Sequence, residues 1–444
     1  MKTILASMLL LASIIVTAAN PQVKTLNGII EGLEETGVKI FKGVPFAAPP
    51  TGENRWKAPQ QVASWKGIRK AHNFGPNPMQ EPVFGDMMFG TKEMSEDCLY
   101  LNVWTPTTEQ NANLPVFIYF NGGGLYAGSG SEPRYAGLEY AKNGVVAITA
   151  NYREGIFGFF AHPELSRETE YKGSGNYGFM DQAAAIKWVK DNISAFGGDP
   201  NRITIMGESA GSMSVSALMA SPLSKNLIAQ AMGSSGSVLS QNKWLSLKEA
   251  ETIGINQAKA MGCNSIEDLR KLPAEELMKK ARVRGVPVYN IDNYFMPKQP
   301  LDIFANSEQA QVPCLIGNNS AEMGIGMFTM GKSISRENLT PAVEYWFKQP
   351  ADTIFKLYSI TNDEDLLKIQ GYELAGDMFI SYSTWKWTDM QAKGEQPVSR
   401  YRYCHPRPAM KDETKESGLA GGVKDKDADS KPAQQTPGAV HSAD

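Results

Sequence analysis

The chain is poor in cysteine and histidine, and no sign of charge dominates it. Four cysteines in 444 residues (Cys98, Cys263, Cys314, Cys404) exclude a cystine scaffold, and the absence of any CxxC pair removes the usual signal for a zinc knuckle or a redox dithiol. The four histidines are His72, His162, His405 and His441, so any chemistry that needs an imidazole has few candidates. Lys and Arg total 44 against 47 Asp and Glu, a net charge of −3, which gives no reason to expect a nucleic-acid backbone or an anionic membrane as partner. Beyond the N-terminus no run is apolar enough to cross a bilayer. What remains, 42% hydrophobic and 20% charged residues, is the composition of a globular protein long enough for a large core.

Residues 1–19 read MKTILASMLLLASIIVTAA: a basic start at Lys2, an apolar run from Ile4 to Val16, and small residues at Thr17-Ala18-Ala19. That layout predicts a secretory signal peptide cleaved after Ala19, because the run falls short of the roughly 18–20 residues that span a bilayer. The protein is therefore expected outside the cytoplasm, in the periplasm or secreted, with residues 20–444 forming the mature domain.

After this leader, strand-like and helix-like patterns alternate. PVFIYF (115–120), VVAITANY (145–152), RITIMG (202–207), VPCLIG (312–317) and VSRYRYC (398–404) read as strands, and 179–196 and 209–220 as helices. The alternation predicts an α/β fold with a mostly parallel sheet covered by helices on both faces. Residues 411–437, rich in Lys, Asp, Gly and Pro and without an aromatic residue, read as a mobile loop.

Two segments carry chemistry. Gly207-Glu208-Ser209-Ala210-Gly211 is a G-x-S-x-G motif with a strand before it and a helix after it, the setting in which a sharp turn raises a nucleophilic serine above a sheet. FNGGGLYAGSG (120–130) directly follows the strand 115–120, and its glycines let backbone N–H groups approach a carbonyl oxygen. Gly123 and Gly124, with Ala210, are the candidate oxyanion donors, and Ser209 is the candidate nucleophile.

The chain resembles the type-B carboxylesterases of the α/β-hydrolase fold, the family of cholinesterases and bacterial para-nitrobenzyl esterases. GVPFAAPPTGENRWKAPQQVASWKG (43–67), SEDCLYLNVWTP (95–106) and FGGDPNRITIMGESAG (196–211) carry the resemblance, with support from NYREGIFGF (151–159) and GNYGFMDQAAAIKWV (175–189). It implies an acyl-enzyme ester hydrolase with no metal or organic cofactor and small-molecule esters as partners. It assigns the acid to Glu322, in VPCLIGNNSAEMG (312–324), and the base to His441, in GAVHSAD (438–444), completing the chain order Ser209, Glu322, His441. His72 and His162 precede the serine and do not suit that order, while His405, directly after a strand, is the rival base.

The chain departs from the family in several places. Family members continue well past this histidine, so the sequence reads as truncated, with His441 expected to lack a supporting shell and activity expected to be weak. Cys98 has no cysteine upstream to pair with and reads as a buried thiol, and Cys314 and Cys404 as core thiols on strands. Asn121 stands where many bacterial members carry His. Residues 71–94 hold no Trp, which argues against a choline ester; Phe84, Met87, Met88 and Phe89 are either a gorge mouth or a satellite cluster. A short-chain carboxylic ester is expected. The competing readings are a catalytically inactive adhesion protein on the same fold and an acyl hydrolase of other specificity, such as a lipase, amidase or polysaccharide deacetylase.

Overall fold

The computed structural model describes residues 19–240, 242–281, 289–408, 410–412, 414–426 and 436–443. The predicted leader lies outside the described residues except for Ala19.

Fourteen strands are described: β1 (Gln22–Lys24), β2 (Ile29–Glu31), β3 (Leu33–Glu35), β4 (Val38–Pro45), β5 (Ile68–Lys70), β6 (Tyr100–Thr105), β7 (Leu114–Phe120), β8 (Val146–Ala150), β9 (Gly198–Glu208), β10 (Gln230–Ser234), β11 (Cys314–Asn319), β12 (Val398–Tyr403), β13 (Lys415–Ser417) and β14 (Val423–Asp425). Nine of them form one twisted sheet in the order β12-β11-β10-β9-β7-β8-β6-β4-β3. The six strands from β12 to β8 run parallel, and β6, β4 and β3 add antiparallel pairs at the other side. β1, β2 and β5 make a separate small sheet.

The strand cores are apolar runs rather than alternating patterns because helices cover both faces. Every residue of β8 is buried, as are Val116, Phe117 and Ile118 of β7. The helix Tyr177–Asn192 buries Phe179, Ile186 and Val189, and the helix Ala210–Ala220 buries nearly its whole length against β9, β10 and β7. Small residues make that second contact close. A Cβ at Gly211 would lie 2.1 Å from the carbonyl oxygen of Phe120, so only glycine lets the helix start so near the end of β7. Residues 325–379 form a helical flank with its own apolar cluster around Leu339, Phe355, Leu366 and Met378.

Two expectations from the sequence need correction. Part of 411–437 has regular structure: β13 and β14 pair as an antiparallel hairpin. Short, polar, solvent-facing strands leave no hydrophobic alternation to detect, and this pair is held from outside. Asp86 Oδ2 accepts from Gly422 N at 2.9 Å, and Arg134 Nη1 donates to the Ala420 carbonyl at 2.6 Å. Residues 427–435 lie outside the described residues. Second, Cys404 is exposed and not a core thiol, because it follows β12, which is the edge of the sheet among the described residues. Cys98, Cys263 and Cys314 are free and buried; burial pushes the Cys98 thiol well up and that of Cys314 up to about 12.

One of the four thiols should therefore titrate quickly with a disulfide reagent in the native protein, and Cys404→Ser should remove that fast phase. Any fast thiol left in the variant would contradict the burial of the other three.

Candidate active site

The six parallel strands all end on one side of the sheet, and the residues singled out from the sequence lie in the loops that leave those ends. Ser209 follows β9. Its backbone adopts φ 57° and ψ −123°, a conformation costly for any residue with a Cβ. Two main-chain bonds hold it there: Ser209 N donates to the Ser234 carbonyl at 2.9 Å, and the Ser209 carbonyl accepts from Met213 N at 3.0 Å. The turn lifts the hydroxyl toward the His441 loop.

Glu322 lies in the loop after β11 and is buried. Its Oε1 accepts from Ser235 Oγ at 2.6 Å and from Asn319 N at 2.7 Å. Its Oε2 faces His441 Nδ1 at 2.8 Å, and His441 Nε2 faces Ser209 Oγ at 2.8 Å. A carboxylate can only accept, so the Nδ1 proton points to Glu322 and Nε2 is left to accept from the serine hydroxyl. Of the four histidines, His441 is the one that reaches Ser209. His72 faces Glu31 at 3.3 Å, His162 caps the helix Pro163–Glu168, and His405 is exposed.

The expectation that His441 lacks a supporting shell is also corrected, because residues upstream supply one. Ala321 N donates to the Ala439 carbonyl at 2.8 Å, His441 N to the Glu322 carbonyl at 3.2 Å, and Asn319 Nδ2 to the Val440 carbonyl at 2.7 Å. Arg407 Nη2 donates to the Ser442 carbonyl at 2.5 Å, and the Phe379 ring meets the imidazole edge-on at 5.2 Å. No local pattern around His441 points to Arg407, which reaches the loop only in three dimensions. Glu208 is a second residue of this kind. Its Oε1 accepts from Ser442 Oγ at 2.7 Å and lies 3.3 Å from His441 Nε2, so carboxylates flank the imidazole on both sides.

The glycine loop after β7 runs against the serine: a Cβ at Gly122 would be 3.1 Å from Ser209 Cβ. Gly123 has φ +103°, and a Cβ there would strike the Ala127 carbonyl oxygen at 1.8 Å, which reserves the position for glycine. Among the described residues, none of the backbone N–H groups of Gly123, Gly124 and Ala210 bonds an internal backbone acceptor. Met87 packs at this loop, with its methyl 2.9 Å from the same imagined Cβ at Gly123, whereas Met88 is exposed. A cavity of about 870 Å³ opens beside the loop, lined by Tyr126, Phe159, Trp244, Met261 and Tyr289, with Lys243 and Lys280 among its few charged groups. Among the described residues no group of three or more His, Cys, Asp or Glu is arranged to hold a metal ion, and no helix is long and apolar enough to cross a membrane.

The sequence profile described as Carboxylesterase family matches residues 19–444. The chain belongs to the carboxylesterase family. Among its relatives, the fumonisin B1 esterase of Sphingopyxis macrogoltabida is 36% identical over 399 residues, 85% of this chain and 70% of that protein. The para-nitrobenzyl esterase of Bacillus subtilis (strain 168) is 37% identical over 354 residues, 76% of this chain and 70% of that one. A solved carboxylesterase of Geobacillus stearothermophilus superposes with a TM-score of 0.77 at 32% identity, covering 88% of this chain and 81% of its own. A solved PNB esterase gives 0.76 at 33% identity, with the same two coverages of 88% and 81%. The α/β-hydrolase fold expected of this carboxylesterase is the fold it has.

Arg407→Ala should lower kcat on para-nitrophenyl acetate by about 10-fold or more with KM nearly unchanged if the His441 imidazole takes part in the reaction, because displacing a reacting group by an ångström slows it far more than that. Unaltered kcat in a folded variant would show that the remaining bonds alone hold the loop.

Proposed function

We propose that this carboxylesterase hydrolyses carboxylic esters through an acyl-enzyme on Ser209. His441 Nε2 takes the hydroxyl proton while Ser209 Oγ attacks the ester carbonyl. Glu322 orients the imidazole and stabilises the imidazolium formed in that step, and Glu208, on the Nε2 side, adds to that stabilisation. The tetrahedral oxyanion is bound by the N–H groups of Gly123, Gly124 and Ala210. Each such donor is worth about 10²–10³ in rate where one has been removed from a hydrolase. His441 then protonates the departing alkoxide, and the same base activates a water that releases the acid from Ser209. The observation that carries this reading is the pair of 2.8 Å contacts that link Ser209, His441 and Glu322 in one line.

The ester's bulky apolar part lies in the aromatic-lined cavity beside Tyr126, whose volume of about 870 Å³ exceeds what a short acyl chain fills. That reading extends the short-chain expectation toward esters with a large apolar acid or alcohol part.

Ser209→Ala should leave less than about 1% of the activity while preserving the fold, since loss of a triad nucleophile is far more severe than that. Higher residual turnover would remove Ser209 from its role. A series of para-nitrophenyl esters from acetate to decanoate should give a kcat/KM for the longer chains at least equal to that for acetate. A monotonic fall with chain length would take the cavity out of the substrate site.

Export is proposed from residues 1–19. N-terminal sequencing of the mature protein should begin near Asn20, and an intact Met1 on the active enzyme would count against it.

A further inference from the structure

Behind the oxyanion loop lies a carboxyl group that the mechanism above does not use. Glu154, in the segment NYREG, is 1% exposed. Its Oε1 accepts from Asn121 Nδ2 at 3.1 Å, and its Oε2 is buried without a hydrogen-bond partner. The neighbouring Arg153 does not serve as its counter-ion, being committed to Asp181 through two 2.7 Å contacts. Burial without a counter-ion pushes the Glu154 carboxyl well above the usual range, against smaller opposing effects of Asn121 and Tyr152. A buried carboxyl is thus packed next to the loop proposed to receive negative charge.

Asn121 connects this group to the loop. Its Nδ2 also donates to the Gly122 carbonyl at 3.0 Å, and its own carbonyl accepts from Tyr152 Oη at 2.9 Å. The amide has little room to turn, since a Cβ at Gly128 would come within 1.9 Å of Asn121 Nδ2. The Gly122 carbonyl and the Gly123 N–H belong to one planar peptide unit, so fixing the oxygen also fixes the direction of the N–H. A chain of contacts therefore runs from Glu154 through Asn121 and the Gly122 carbonyl to one of the proposed oxyanion donors.

We propose that Glu154 is a positioning residue for the oxyanion hole, holding Asn121 so that the Gly122–Gly123 peptide directs its N–H at the reacting carbonyl oxygen. The inference rests on Ser209 acting as nucleophile. An oxyanion donor acts on the transition state more than on the bound ester, so a disturbance reached through Asn121 falls on kcat and on transition-state mimics and leaves KM nearly alone.

The test compares Glu154→Leu, Glu154→Gln, Asn121→Ala and the Asn121→Ala/Glu154→Leu double variant with the wild-type enzyme. The readouts are kcat and KM on para-nitrophenyl acetate, inhibition by an aryl trifluoromethyl ketone that forms a tetrahedral adduct on serine, and melting temperature. Glu154→Leu is expected to lower kcat and ketone affinity in parallel by about 10- to 100-fold, a fraction of the loss when a donor is deleted outright, with KM within about two-fold. The glutamine oxygen can still accept from Asn121, so Glu154→Gln should stay within about three-fold of wild type. Asn121→Ala should reproduce the Leu phenotype, and the double variant should be no worse than Asn121→Ala alone. Additive losses would overturn the proposal, as would wild-type kcat and ketone affinity in either Glu154→Leu or Asn121→Ala, or a Gln variant as impaired as Leu. If Glu154→Leu does not fold, Asn121→Ala and Glu154→Gln decide the matter. Failure of the underlying reading would look different: Ser209→Ala would keep the activity of wild type.

Discussion

The proposed site hangs on the turn at Ser209. The residue is held at a positive φ that its Cβ disfavours, and it stays there because the end of β9, the start of the helix Ala210–Ala220 and the carbonyl of Ser234 over-determine it. The close approach at Gly211 belongs to the same constraint: it lets the helix begin against the end of β7, where the glycine loop starts. The sheet supplies the rigidity. Six parallel strands, hydrogen-bonded to their neighbours, deliver the Ser209 turn from β9, the glycine loop from its neighbour β7 and the Glu322 loop from β11, one strand further along, and small shifts in one are resisted by the others.

Much of this was legible in the sequence, for a physical reason. Buried parallel strands must be apolar along their length, so PVFIYF and RITIMG announce themselves, and a strained turn can tolerate only small residues on either side of its serine. The same reasoning could place the glycines after β7. It could not see what depends on contacts between distant segments. The hairpin β13–β14 is polar on both faces and owes its position to Asp86 and Arg134, far away in the chain. Cys404 follows a strand whose pattern resembles a core strand, and nothing local says that the strand lies at an edge. The shell around His441 was sought after it in the chain, whereas space brings it from residues 319–322 and 407.

The electrostatic arrangement around the imidazole follows from the same geometry. Glu322 is buried and fully engaged by Ser235 and Asn319, so it can orient the ring without competing for its own partners. Glu208 sits closer to solvent and approaches the opposite nitrogen, tied down by Ser442. One carboxylate thus fixes direction and the other contributes field. Behind the glycine loop, burial raises the Glu154 carboxyl well above the usual range and so opposes a further negative charge beside the proposed oxyanion donors.

The main-chain bonds between the acid loop and the base loop have a mechanical meaning. Ala321 to Ala439 and His441 to Glu322 stitch the two loops together as neighbouring strands are stitched. Glu322 is held in turn by Ser235 and by Asn319 at the end of β11, and Ser209 is held by the Ser234 carbonyl beside it, so all three segments are tied to neighbouring strand ends. The last turn of chain thus borrows its rigidity from the sheet: the 439–441 segment contributes no strand of its own to the large sheet, yet it is hydrogen-bonded at Ala439, Val440 and His441 to the loop that leaves β11.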